Sequence, residues 1–101
     1  MGKKKAHNQL DEMIHQRTRL AIMATLAGVE SLNFNEVKAQ LGLTDGNLST
    51  HAAALERAGY VKITKSFKER KPRTTVAITA KGRKALLSYI DQLHRILKKA
   101  R

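Results

Sequence analysis

The sequence predicts a mainly helical chain with one small β-hairpin, an α+β class in which the hairpin directly follows two helices joined by a glycine-bearing turn. Three observations carry this expectation. Apolar residues recur at helical spacing in several stretches, the longest running from residue 80 to about 99. Stop and start signals punctuate those stretches: Gly28, Gly42 and Gly59 at their ends, Thr44 and Thr79 at their beginnings. Residues 60–67 and 73–78 alternate in character and are rich in β-branched side chains, as strands are. At 101 residues the chain is one domain, and with no Cys it has no disulfide to staple its small core.

Taken in order, residues 1–7 read as a basic disordered arm, and residues 8–101 as the domain. Asn8 is a plausible N-cap, with Asp11 three residues on, for a helix through Leu10, Met13 and Ile14. Ile22, Met23 and Leu26 lie on a different stripe, so a break is expected across residues 15–18, followed by a buried helix ending at Gly28. Leu32 and Phe34 read as a short extended stretch. Asn33 or Asn35 caps a short helix over 36–41, with Val37 and Leu41 inward and Gly42 as its stop. Thr44 caps a helix over 45–58, and Asp45 suits its positive N-terminal end. Two helices separated by about three residues with Gly have helix-turn-helix spacing. The basic hairpin that follows, with a charged turn over 68–72, is then a wing. Pro72 is tolerated at a strand start or edge. Thr79 caps the last helix, 80 to about 99.

Twenty Lys and Arg against eight Asp and Glu give a formal net charge of +12, a field that favours a polyanion: nucleic acid first, acidic membrane or protein second. Residues 62–73 hold Lys62, Lys65, Lys68, Arg70, Lys71 and Arg73 against Glu69 alone. Lys3–Lys5 and Lys98, Lys99 and Arg101 are further clusters, read first as solvating tails. The absence of Cys excludes thiolate zinc sites, iron–sulfur clusters and thiol nucleophiles. The carboxylates are dispersed, and no nucleophile–base grouping, P-loop or dinucleotide fingerprint occurs, so no enzyme and no cofactor is expected. No apolar run approaches the roughly 20 residues that span a bilayer. The basic start lacks the apolar stretch of a secretory signal, so the cytoplasm is the expected location.

With Leu48 set inward, Ala52 and Leu55 share its face of the second helix. The outward face is Gly46, Asn47, Ser49, Thr50, Ala53, Ala54 and Arg57. A merely solvated face carries Lys, Glu, Gln and Arg. This one is short, polar or small, which lets a helix backbone approach a groove floor and lets Asn, Ser and Thr bond base edges. Small residues also suit helix–helix packing, the competing reading. His51 sits at the face boundary, either a half-buried residue satisfied locally or a phosphate contact. Asp45 serves the helix dipole or accepts from a cytosine amino group, the first being favoured. On the hairpin, Lys65, Lys68, Arg70, Lys71 and Arg73 form either an idle solubilising loop or a phosphate clamp, with Arg70 the first choice to enter a minor groove. In the last helix Leu86, Ile90, Leu93 and Leu97 are spaced as an a/d seam, widened by Tyr89, Ile96 and Leu87. That width suggests two partners, the domain's own core and a second copy, hence a homodimer. Asp91 and His94 read as solvated polar residues, with half of an interhelical metal site the weaker alternative.

These residues resemble the MarR/ArsR-like winged helix-turn-helix transcriptional regulators, in their short single-domain form. The resemblance rests on Arg19-Leu20-Ala21-Ile22-Met23, Phe34-Asn35-Glu36-Val37-Lys38, the run Leu41-Gly42-Leu43-Thr44-Asp45-Gly46-Asn47-Leu48-Ser49-Thr50-His51 and Leu55-Glu56-Arg57-Ala58-Gly59-Tyr60-Val61. It continues through Lys71-Pro72-Arg73-Thr74 and Ile78-Thr79-Ala80-Lys81-Gly82-Arg83. It implies sequence-specific duplex DNA binding at a roughly palindromic site, dimerisation through terminal helices and control of transcription. Asn47, Ser49, Thr50 and His51 would then lie at DNA beside the wing arginines. The chain departs from longer relatives in having little room for a phenolic-ligand pocket, and from cysteine-based sensors in having no Cys. A winged-helix module that docks protein or RNA shares the fold and remains the alternative.

Overall fold

The computed structural model describes residues 10–100. The element order is α1 (Arg17–Ala27), β1 (Leu32–Asn33), α2 (Phe34–Leu41), α3 (Asp45–Arg57), β2 (Val61–Lys68), β3 (Lys71–Ile78) and α4 (Ala80–Lys99). The strands form one antiparallel sheet in the order β1-β3-β2. This is a winged helix fold. The core lies between the helices and one face of the sheet: Ile14, Ile22, Met23 and Leu26 meet Val37, Leu48, Ala52 and Leu55, closed by Val61, Val76, Leu86 and Tyr89.

The first expectation to fail is the helix through Leu10 and Ile14. Asn8 lies outside the described residues, and 11–14 is a single turn, with the Ile14 and His15 amides both donating to the Asp11 carbonyl. Asp11 Oδ1 accepts the Met13 amide at 2.8 Å. The turn does not propagate: the Gln16 amide donates to the Ile14 carbonyl at 2.7 Å instead of to a helical partner, and Arg19 Nε donates to the Met13 carbonyl at 2.6 Å. Ile14 is nevertheless fully buried, tucked under the body by the turn rather than by a helical stripe. Helix α1 starts afresh, its N-cap Gln16 accepting from the Arg19 amide.

Asn33 is the α2 cap, and it forms a capping box: its side chain accepts the Glu36 amide at 2.8 Å while Glu36 Oε1 accepts the Asn33 amide at 2.9 Å. Phe34 is therefore the first residue of α2 rather than part of a strand. Gly42 ends α2 at φ 65°, the left-handed conformation that a side chain would strain. Thr44 caps α3 through its Oγ1, which accepts the Asn47 amide.

The hairpin is longer and tighter than expected. The charged turn predicted over 68–72 shrinks to Glu69 and Arg70, and Lys68, Lys71 and Pro72 belong to the strands. Glu69 and Arg70 both have positive φ, 54° and 66°, the signature of a type I′ turn, whose backbone matches strand twist. Neither residue announces such a turn, which is normally Asn-Gly, so the sequence gives no sign of it.

The last helix is locked to the corner before β2. Thr79 caps α4 by accepting the Gly82 amide at 2.9 Å, donates its hydroxyl to the Gly59 carbonyl at 2.6 Å, and donates its amide to the Tyr60 carbonyl at 3.0 Å. Leu86 and Tyr89 bury the first half of α4 on the body, and the Tyr89 hydroxyl meets His15 Nδ1 at 2.7 Å.

Candidate nucleic-acid interface

Helix α3 buries the face its sequence predicts, although Ala53 and Ala54, expected outward, are half-buried. Leu48, Ala52 and Leu55 are fully buried, while Thr44, Asp45, Gly46, Asn47, Ser49 and Thr50 are exposed, so Asn47 and Thr50 do not pack into the interior. The exposed row is made of a glycine and short polar side chains, and it runs along the N-terminal half of the helix. Asp45 at its start receives Lys38 Nζ, an ion pair across the turn between α2 and α3. That pair is exposed on the Asp45 side and contributes little to stability, but it offsets a carboxylate that would otherwise repel a polyanion. His51 is half-buried, with Nδ1 3.3 Å from Arg19 Nη1. Arg has only donors, so this contact requires Nδ1 to accept and places the imidazole proton on Nε2. Arg19 thus joins α3 to the N-terminal turn, a role that nothing in its spacing advertises.

The wing begins at the far end of the same helix. Glu56 Oε2 accepts the Ile63 amide at 2.9 Å, so a carboxylate of α3 clasps the open edge of β2. Its partner comes from seven residues away through a glycine corner, beyond the reach of periodicity. Because the Ile63 amide points off the sheet, so do those of its odd-numbered companions on β2, and their β3 partners point away from β2 in turn. Pro72, opposite Phe67, is one of these, so its missing N–H costs the β2–β3 ladder nothing.

Lys65, Lys68, Arg70 and Lys71 are exposed and Arg73 is half-buried. Among the described residues the ion pairs are Lys38–Asp45 and Arg95–Asp91, and no wing cation belongs to either. Five cations held together against the single carboxylate of Glu69, with no ion pair among them, raise the potential of this loop and favour an anionic partner. An open groove of about 480 Å³ separates the wing from the start of α2, lined by Asn33, Phe34, Asn35, Lys68, Lys71 and Arg73 among others.

Residues 18–97 match the family of winged helix DNA-binding domains. The chain belongs to that family. It is 41% identical over 80 residues to an uncharacterised protein of Methanocaldococcus jannaschii, a match covering 79% of this chain and 87% of the relative. The solved structure of a transcriptional regulator homologue from Pyrococcus horikoshii OT3 superposes with a TM-score of 0.84 at 32% identity, covering 89% of each chain. An ArsR-family transcriptional regulator superposes at 0.58 and 17% identity over 97% of each chain, a likeness of fold alone.

The winged helix domain uses its last helix differently from a simple seam. Leu86 and Tyr89, expected at an interface between copies, are 5% and 4% exposed and belong to the protomer's own core. The apolar surplus is Leu87, Ile90 and Leu97, each at least half exposed, flanked by half-buried Leu93 and Ile96. Asp91 accepts from Arg95 at 3.1 Å, and among the described residues no group of three or more His, Cys, Asp and Glu could hold a metal ion. No described helix is long and apolar enough to cross a membrane.

Proposed function

We propose that this winged helix domain is a sequence-specific regulator of transcription that reads duplex DNA. Helix α3 enters the major groove, with Asn47, Ser49 and Thr50 at base edges and Thr44, Gly46 and His51 close to the backbone. The wing lies on the adjacent phosphates, and Arg70 reaches the minor groove. The observation that carries this reading is the bare, short-chained outer row of α3 together with wing cations that, among the described residues, belong to no ion pair. A flat polar helix face admits close approach to base edges, and the cations supply the sequence-independent attraction. Two copies joined through Leu87, Ile90 and Leu97 would present two α3 helices to successive major grooves, about 34–36 Å apart, and so select a roughly palindromic site. The alternative, a module that docks protein or RNA, has one exposed aromatic among the described residues in its favour, Phe67, and the strongly positive wing against a protein partner.

A selection of bound duplexes from a random pool, with and without competitor RNA, tests the reading. Enriched inverted repeats that survive the competitor support it, and no enrichment refutes it. On the recovered site, Asn47→Ala or Thr50→Ala should cost about 1–3 kcal/mol at particular bases, while Arg73→Ala should weaken all sequences alike. Ile90→Asp should yield monomers with much weaker binding; an unchanged dimer would move the interface elsewhere.

A further inference from the structure

Phe67 is the most exposed large apolar residue among those described, at 78%. It stands opposite Pro72 in a pair whose backbones do not exchange hydrogen bonds, the arrangement that brings cross-strand side chains closest. The two lie on the sheet face that carries Val61, Ile63 and Val76 into the core, but further out, beyond the last buried residue. From Ile63 to Phe67 the strand advances about 13 Å, at roughly 3.3 Å per residue, enough to carry the tip clear of the body. The type I′ turn at Glu69 and Arg70 keeps the tip narrow. Of the exposed wing cations Lys65 shares this face, Lys68 and Lys71 stand on the opposite face one residue on in each strand, and Arg70 shares the turn with Glu69; among the described residues none of these cations belongs to an ion pair.

An aromatic ring at the end of a hairpin that carries cations on both of its faces matches a surface that is apolar in the middle and anionic at its rims. A DNA minor groove has that pattern: deoxyribose walls and base edges between two rows of phosphates. It is about 6 Å wide and 7.5 Å deep, within reach of a projecting hairpin. We propose that Phe67, backed by Pro72, is a shape-reading wedge of the wing: it seats in the minor groove against sugar and base edge while the surrounding lysines and Arg70 hold the phosphates. Apolar wedges of this kind partly unstack a base step, and pyrimidine–purine steps yield most easily. The wing therefore contributes selectivity at a flanking step that α3 never touches. This rests on the duplex-binding reading above and adds to it a second, indirect determinant of sequence.

The test uses the full chain and the duplex recovered by selection, with only the wing-facing step changed among TA, CA, AA and GC. Wild type should prefer TA and CA and should bend them, as read by fluorescence transfer between the duplex ends. Phe67→Ala should lower affinity about tenfold on the preferred steps and abolish the preference and the bend, with the salt slope unchanged. Lys68→Ala should instead weaken every step alike and reduce the log–log salt slope by about 0.9. Phe67 is exposed, so the variant's thermal midpoint should match wild type, and Phe67→Leu should retain part of the preference. Wild-type step preference persisting in Phe67→Ala overturns the wedge and leaves the duplex reading standing. Loss of single-strand affinity alone, of self-association or of vesicle binding assigns the ring to another partner and overturns the wedge too. Failure of wild type to bind any duplex overturns both proposals together.

Discussion

Gly82→Ala sets two physical effects against each other. By helix propensity alone the change should stabilise α4 by up to about 1 kcal/mol. The tertiary setting opposes it: a Cβ on Gly82 would lie 2.0 Å from the Tyr60 carbonyl oxygen, 2.8 Å from its carbon and 2.9 Å from its Cα. These are backbone atoms, and they are held in place, since the Tyr60 carbonyl accepts the Thr79 amide and the Gly59 carbonyl accepts the Thr79 hydroxyl. Either the helix start moves away or the corner does. Moving the helix sacrifices two hydrogen bonds at about 1 kcal/mol each and adds about 1–3 kcal/mol of overpacking. Net of propensity, the loss is about 2–4 kcal/mol, a large share of the roughly 5–15 kcal/mol that holds a domain together. At about 4–8 °C per kcal/mol, Tm should fall by roughly 8–30 °C. Urea unfolding should show a lower midpoint with unchanged slope. A midpoint equal to or above wild type would mean that α4 does not seat its first turn on the Tyr60 backbone, and the reasoning would fall.

Three further outcomes follow from the same contacts. Gly46→Ala meets no heavy atom within 4 Å, so it should raise stability by up to about 1 kcal/mol, yet weaken duplex binding because the added methyl stands on the proposed groove-facing row; equal affinity would place that row away from DNA. Glu56→Ala removes the acceptor of the Ile63 amide and should cost about 1 kcal/mol, with faster amide exchange at Ile63 as the local readout. The Tyr60 phenol is pushed up from 10.0 to about 12, by burial first and then by its hydrogen bond to, and the charge of, Asp11. Its folded-state value exceeds the unfolded one, so its contribution to stability is complete below pH 10 and is lost as pH rises toward about 12; Asp11→Asn should bring tyrosinate absorbance in at lower pH, and an unshifted titration would deny the contact.

Much of the fold was legible in the residues. The caps at Thr44 and Thr79, the stops at Gly42 and Gly59 and the inward set Leu48, Ala52 and Leu55 are local chemistry, decided within one or two turns of chain. The exposure of Asn47, Ser49 and Thr50 follows from that same periodicity. The misreadings arose where contacts outside the local pattern intervened. The N-terminal turn hands its Met13 carbonyl to Arg19 and its Ile14 carbonyl to the Gln16 amide instead of continuing as a helix, and the hairpin closed on Glu69 and Arg70 because strand pairing dictated the register. Asn33, one of the two caps the residues offered, is the one that forms a capping box with Glu36.

By itself, the sequence determined the helices' faces, the order of elements and the placing of six cations between residues 62 and 73, because each depends on spacing and local hydrogen bonding. Only the tertiary structure decided which apolar residues of α4 remain outside, that Glu56 clasps the wing and that Phe67 projects beyond the core. Those outcomes depend on loop closure, which brings together groups whose separation along the chain carries no periodic signal.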